Sequence, residues 1–84
     1  MRYERIVYAY HARKRMKRRR FDHSEAKRVL NEPEITHPSE DGEDRIIARG
    51  HSNDGRRVGI VYTENHDFNA DVFVVTVIDF DAEE

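Results

Sequence analysis

The residues best suited to chemistry lie in one short segment, where arginines follow a histidine at four-residue intervals. His11, Arg15 and Arg19 occupy positions i, i+4 and i+8, so a helix would present them on one face. An imidazole can move a proton near neutral pH and a guanidinium group can hold a phosphate, a combination suited to metal-free RNA cleavage. The same spacing fits a His11 that only caps or buttresses the helix, and both interpretations stay open on spacing alone.

The segment also carries a high density of positive charge. Residues 1–20 contain nine basic residues and one acid, a net charge of +8, whereas residues 21–84 sum to −10 and reduce the total to −2. This segregation points to a surface for nucleic acid or for an acidic partner, or to neutralisation by the chain's own acidic loop and tail. The residues expected to hold a nucleic-acid backbone here are Arg13, Lys14, Lys17, Arg18 and Arg20.

Like charges in this segment would repel one another in a helix. Three like-charged pairs at i, i+4 cost about 1 kcal/mol together, and no acid lies within residues 11–20 to relieve them. We therefore expect a group outside the helix, either phosphates or acidic side chains of the same chain, to complete the charge balance.

The rest of the sequence shows no second chemical motif. The five histidines are scattered without a His-x-x-x-His pair and there is no cysteine, so we expect neither a metal nor a cofactor. Absence of cysteine suits a reducing cytosol, and no apolar run approaches the ~18 residues of a membrane span. We expect a cytoplasmic protein without a membrane partner.

The elements that must position these residues begin with two helices. Eighty-four residues allow one small domain, residues 1–84. The apolar stripe of Tyr8, Ala12 and Met16 predicts a first helix within residues 8–20, although residues 6–8 could equally form a short edge strand. Asp22 as a cap, followed by an acid three residues later, predicts a second helix that ends near Asn31.

The periodicity then changes to two, which is typical of strands. We predict strands over residues 45–49, 58–63 and 72–78, with a hairpin turn at Asp54-Gly55, and a further short strand around Ile35 that would complete the sheet. The fold class is therefore α+β, with two N-terminal helices packed on a three- to four-stranded antiparallel sheet. If the edge of the uncharged strand 72–78 were unpaired, it would favour a homodimer through that sheet edge.

The segment His11-Ala12-Arg13-Lys14-Arg15-Met16-Lys17-Arg18-Arg19 resembles the opening signature of a bacterial family, domain of unknown function 4258, whose members begin His-Ala-x-x-Arg-Met-x-x-Arg. The resemblance continues through the second helix and the Asn31-Glu32-Pro33-Glu34 step to the Val74-Val75-Thr76-Val77 strand. In this family the position of Arg20 is usually glycine, so the turn before the second helix must differ or carry strain.

The resemblance implies a relationship to RelE-like toxins, small α+β proteins of toxin–antitoxin modules that cleave RNA without a metal. It therefore implies RNA as substrate, an acidic antitoxin as partner, and His11, Arg15 and Arg19 as the matching site positions. It also suggests three looser candidates on the sheet: Arg49 and Arg57 as nucleic-acid-binding residues, and Thr76.

Two functional hypotheses follow. The first is a toxin-like, metal-independent ribonuclease in which His11 acts as general acid or base while Arg15 and Arg19 stabilise the charged phosphorane. The second is a noncatalytic module that binds nucleic acid or an acidic protein through the basic first helix.

Overall fold

The computed structural model describes residues 3–40, 44–64 and 70–81. His66, most of the acidic loop (residues 41–43) and the end of the tail (residues 82–84) lie outside these described residues. The elements in chain order are β1 (Ile6–Tyr8), α1 (Tyr10–Arg18), α2 (His23–Asn31), β2 (Ile35–Pro38), β3 (Arg45–His51), β4 (Arg57–Thr63) and β5 (Val72–Asp79).

The described strands form one mixed five-stranded sheet in the order β1-β5-β4-β3-β2. Strands β2 to β5 are joined to their neighbours by antiparallel pairing, as alternating hydrophobicity and the Asp54-Gly55 turn predicted. β1 instead pairs parallel with β5, with Ile6 opposite Val72 and Tyr8 opposite Val74.

The prediction of a three- to four-stranded, purely antiparallel sheet was therefore wrong in strand count and in one pairing. Residues 6–8 and the segment after Ile35 both form strands, which brings the number to five. β1 and β5 stand at opposite ends of the described chain, with two helices and three strands between them. Their parallel pairing therefore needs no hairpin, because it closes over a long connection.

The pairing of β1 also covers the edge of β5 that the sequence left as a candidate for an unpaired sheet edge. β5 has β1 on one side over its first residues and β4 on the other, so it is not an edge strand there. The outer strands of the described sheet are β1 and β2, and a homodimer through a sheet edge stays a prediction that would have to use one of them.

Both helices pack on the sheet and contribute buried apolar side chains to the core. α1 packs on β5, while α2 packs on β3 and β4. The largest fully buried side chains are Met16 of α1, Val29 of α2, and Ile60, Val72 and Val74 of the sheet. No helix in the described part of the chain is long and apolar enough to cross a membrane.

The second helix starts and ends as its sequence predicts. The Asp22 side chain accepts a hydrogen bond from the backbone N–H of Glu25 at 3.0 Å, and this satisfies one of the free donors of the first turn. The pKa of the Asp22 carboxyl is lowered, mainly because the Ser24 hydroxyl also donates a hydrogen bond to it. The helix ends at Asn31, two residues before Pro33.

The turn between the helices has arginine at position 20, where a left-handed backbone conformation favours glycine. The backbone N–H of Phe21 donates to the Met16 carbonyl at 2.8 Å, and that of Arg20 donates to the Lys17 carbonyl at 3.3 Å. This is the Schellman pattern of a helix C-terminus, whose key position usually holds glycine because it is left-handed. Arg20 adopts that conformation with φ of 54°, and it is the only non-glycine residue with positive φ in the described chain.

This strain gives a direct test of the turn. Replacing Arg20 by glycine and by alanine removes the same charge, but only alanine keeps a Cβ in the left-handed conformation. We expect Arg20→Gly to be more stable than Arg20→Ala by about 1 kcal/mol, measured by urea unfolding. Equal stabilities of the two variants would show that the turn relaxes out of the left-handed conformation at no cost.

Candidate nucleic-acid interface

Helix α1 presents its basic residues to solvent because its apolar stripe is narrow. Ala12 and Met16 are buried against the sheet, and the remaining circumference is exposed or half-buried. No acidic residue occurs in α1. Helix α1 therefore packs on the sheet through one narrow apolar face and exposes basic side chains on the rest of its surface.

A groove runs between α1 and β5. Its volume is about 360 Å³, and we call it the basic groove. It is lined by His11, Lys14, Arg15 and Arg18 of α1 and by Val75 and Thr76 of β5. None of these six residues is acidic, so the groove combines positive charge, one imidazole and one hydroxyl, the groups that a phosphodiester needs for binding.

An irregularity in β5 forms the floor of this groove. The pairing of β4 with β5 shifts between Val61 and Tyr62, so that Val61 faces Thr76 whereas Tyr62 faces Val74. Val75 is therefore the extra residue of a β-bulge, and β1 has already ended opposite Val74. Bulges locally interrupt strand pairing and redirect side chains, and they are frequent beside binding sites.

The C-terminal end of α1 is held by a single arginine from the β3–β4 hairpin. The Arg56 guanidinium donates to the Arg19 carbonyl at 2.6 Å and to the Arg20 carbonyl at 3.3 Å. It also donates to Asp79 of β5 at 2.9 Å and to Asp54 at 2.9 Å. We call this set of bonds the Arg56 tether.

Hydrogen bonds within the tether shift the pKa values of two of its residues, Asp54 and Arg56. The pKa of Asp54 is lowered to about 2, first because the Ser52 hydroxyl donates to its carboxylate and then because Arg56 does. The pKa of Arg56 is correspondingly raised, mainly by Asp54. The tether thus fixes a cation beneath the last carbonyls of α1, where the helix dipole favours positive charge.

Comparison of the sequence with models of protein families identifies the family of this chain. The model of the family described as a domain of unknown function, DUF4258, matches residues 8–79. The chain belongs to this family. The match extends from the end of β1 to the last residue of β5, so it includes the whole basic groove and the Arg56 tether. Comparisons with curated proteins and with solved structures give no match.

The structure of this DUF4258 chain brings together part of the predicted catalytic set. His11 and Arg15 both line the basic groove, and Thr76 joins them from β5. Arg19 lies at the C-cap of α1, half-buried, and is not among the residues that line the groove.

The predicted backbone-binding residues divide between the two sides of α1. Lys14 and Arg18 line the basic groove. Arg13, Lys17 and Arg20 line a second recess on the other side, next to the turn that leads into α2. Basic side chains therefore flank the helix on both sides.

Arg49 and Arg57 lie elsewhere. They line a separate pocket that shares no residue with the basic groove. The Arg49 Nε donates to His37 Nε2 at 2.9 Å, and its guanidinium carbon lies 4.3 Å from the centroid of the Phe80 ring. Arg57 forms an ion pair with Asp81, which raises the pKa of Arg57. Their structural contacts are thus within the sheet and the tail.

Sequence reasoning missed two residues of this region. Arg56 follows the recognised Asp54-Gly55 turn, yet nothing local shows that it reaches a carbonyl 37 positions away. Tyr10 was not singled out, although its offset of two positions from Ala12 places it on the solvent side of the helix. Its ring is 63% exposed.

The Asp54 pKa predicts a specific pH dependence. Because the folded-state pKa is about 2 and the ordinary value is 3.8, the stabilisation from the Asp54 carboxylate is fully present above about pH 4 and is lost as the pH falls towards 2. The difference in free energy of unfolding between the wild type and Asp54→Asn should therefore shrink across this window. Urea unfolding at stepped pH measures it.

The matched variant Glu32→Gln removes an exposed carboxylate at the end of α2. It should not reproduce the pH-dependent difference of Asp54→Asn. A difference between the wild type and Asp54→Asn that stays constant from pH 5 to pH 2 would contradict the assignment.

Proposed function

We propose that this protein binds RNA through the basic groove and cleaves it as a toxin-like, metal-independent ribonuclease. The observation that supports this best is that the described residues lining the groove supply one imidazole, three cationic side chains and no acid. The relationship to RelE-like toxins, the acidic antitoxin and the cytoplasmic location belong to the same proposal.

Binding comes first in this mechanism. Lys14, Arg15 and Arg18 attract the phosphate backbone and release its counterions, which makes affinity strongly dependent on salt. The Arg15 guanidinium can hold two phosphate oxygens at once, and it lies one helical turn from His11. A phosphate bound by Arg15 would therefore lie within the reach of His11.

The cleavage step uses the RNA's own 2′-hydroxyl as nucleophile. Its oxygen attacks the adjacent phosphorus, the bond from phosphorus to the 5′-oxygen breaks, and the products are a 2′,3′-cyclic phosphate and a 5′-hydroxyl. One proton leaves the 2′-oxygen and one is added to the 5′-oxygen, so the step is balanced. His11 performs one of these two transfers and water the other, while Arg15 stabilises the charge that develops on the phosphorane. Arg19, predicted for the same role, does not line the groove and takes no part in this step.

A noncatalytic binding module is the second candidate. It is favoured by the presence of only one imidazole among the groove's lining residues, because efficient cleavage uses both an acid and a base. In that case the same groove binds nucleic acid or an acidic protein without reaction.

The binding half of the proposal is tested by salt dependence. Replacing Lys14, Arg15 and Arg18 together by glutamine should reduce the slope of log affinity against log salt by about 2 for a single-stranded RNA, since each neutralised phosphate contributes about 0.7. Fluorescence anisotropy with a labelled oligonucleotide measures the slope. Lys27→Gln on α2 is the control, and a triple variant with the wild-type slope would contradict binding in the groove.

The catalytic half is tested by His11→Ala. We expect the cleavage rate to fall by roughly 10²- to 10⁴-fold while RNA affinity changes little, because general acid–base catalysis contributes about that much. Cleavage is followed on a 5′-labelled RNA with and without a chelator. His51→Ala, which changes an exposed histidine that lines neither the basic groove nor the recess on the other side of α1, is the control.

The outcomes separate the two candidates. If the wild-type protein binds RNA with a steep salt dependence but does not cleave it, the result supports the noncatalytic binding module. A His11→Ala variant that cleaves as fast as the wild type removes His11 from the mechanism.

A further inference from the structure

The most exposed large apolar side chain of the described chain stands beside the basic groove. Tyr10 begins α1 and is 63% exposed. The buried stripe of α1 consists of Ala12 and Met16, and two residues correspond to about 200° of helix rotation. The ring of Tyr10 therefore points away from the sheet and contributes nothing to the core.

The Tyr10 ring is continuous with the groove through two of the groove's own residues. The Lys14 ammonium lies 5.3 Å from the centroid of the Tyr10 ring. The ring of His11 lies 6.2 Å from that of Tyr10, tilted by 58°. An exposed aromatic surface, a cation and an imidazole thus form one cluster at the N-terminal end of the groove.

This cluster differs from an isolated exposed side chain. Binding sites for single-stranded nucleic acid combine a cationic track for the backbone with aromatic rings on which bases stack. The basic groove supplies the track, and Tyr10 supplies a ring at its mouth. Lys14 belongs to both, since it lines the groove and also lies over the ring.

We propose that Tyr10 is a base-stacking residue, and that the basic groove takes single-stranded RNA with one base unstacked onto this ring. The inference rests on the proposed function and specifies its substrate class. In a duplex both faces of each base are covered by neighbours, so a base that stacks on Tyr10 must come from a single strand, a loop or an end.

The arrangement also assigns complementary roles to the two halves of the cluster. Arg15 and Arg18 bind phosphates without reading the bases, so they cannot distinguish a duplex from a single strand by base contact. Tyr10 would contact the face of a base, so it can distinguish a single strand from a duplex. The preference for unpaired RNA therefore depends on Tyr10, whereas overall charge attraction depends on the arginines and Lys14.

The experiment measures binding of an oligouridine whose 2′-oxygens are methylated, so that it cannot be cleaved. The variants are Tyr10→Leu, which keeps an apolar side chain without a π face, and Tyr10→Phe, which keeps the ring. We expect Tyr10→Leu to bind roughly 5- to 150-fold more weakly than the wild type, and Tyr10→Phe to bind within about twofold of it. Ile35→Ala, which changes another exposed apolar residue outside the basic groove, should have no effect.

A second probe shows whether the effect acts through a base. An oligonucleotide of the same length with abasic sugars should bind the wild type and Tyr10→Leu equally, because it offers nothing to stack. In a long RNA duplex only the two terminal pairs offer an uncovered base face, so its affinity should change far less than that of oligouridine on Tyr10→Leu. Circular dichroism of Tyr10→Leu establishes that α1 is retained.

The failure of this inference is distinguishable from failure of the proposed function. If Tyr10→Leu binds oligouridine like the wild type while the Lys14, Arg15 and Arg18 triple variant loses affinity, groove binding stands and base stacking on Tyr10 is overturned. If Tyr10→Leu weakens the abasic probe as much as oligouridine, the residue acts on the helix and the inference is again overturned. If the wild type binds no oligonucleotide, both proposals fall together.

Discussion

The Arg56 tether is the interaction on which the geometry of the basic helix depends. One guanidinium joins the last carbonyls of α1 to the β3–β4 hairpin through Asp54 and to the end of β5 through Asp79. The Asp79 side chain is only 6% exposed, so this pair lies in a partly desolvated setting where hydrogen-bonded charges hold their geometry well. Helix α1 is therefore fixed at its C-terminal end by charge and along its buried side by Ala12 and Met16.

Such double fixation explains how a helix with no acidic residue is kept in place. Its like-charged neighbours repel one another by about 1 kcal/mol in total, and a nine-residue helix has little intrinsic stability. Burial of Met16 alone contributes about 1.5–3 kcal/mol, which outweighs the repulsion. The positive charge can thus be concentrated on the exposed side without loss of the helix.

Local signals were read correctly from the sequence, and long-range ones were not. The Asp22 cap, the end of α2 before Pro33 and the hairpin at Asp54-Gly55 are set within a few residues, and all three appear in the structure. For Arg20 the sequence left two outcomes open, a changed turn or a strained one, and the structure has the left-handed backbone with φ of 54°. The parallel pairing of β1 has no local turn signal, so periodicity could not reveal it.

The same distinction holds for the site. Spacing grouped His11, Arg15 and Arg19 on one helix face, and of these His11 and Arg15 line the groove. Lys14 and Arg18, expected only to bind the nucleic-acid backbone, line it as well. Val75 and Thr76 line the groove at a one-residue bulge between the partners of Val61 and Tyr62, and a bulge in an uninterrupted apolar strand leaves no mark in the pattern. Arg49 and Arg57 were candidates through the family resemblance, and the sheet places them in a separate pocket.

The pairing of β1 with β5 has a consequence for how the protein becomes competent during folding. Thr76 stands 65 positions after His11, so the two walls of the groove meet only through contacts of high sequence separation, which form slowly because loop closure must precede them. A nine-residue α1 is marginal as an isolated helix, and the ribosome releases it well before β5. The nascent chain therefore carries its basic residues without a groove until β5 has been synthesised and has paired between β1 and β4.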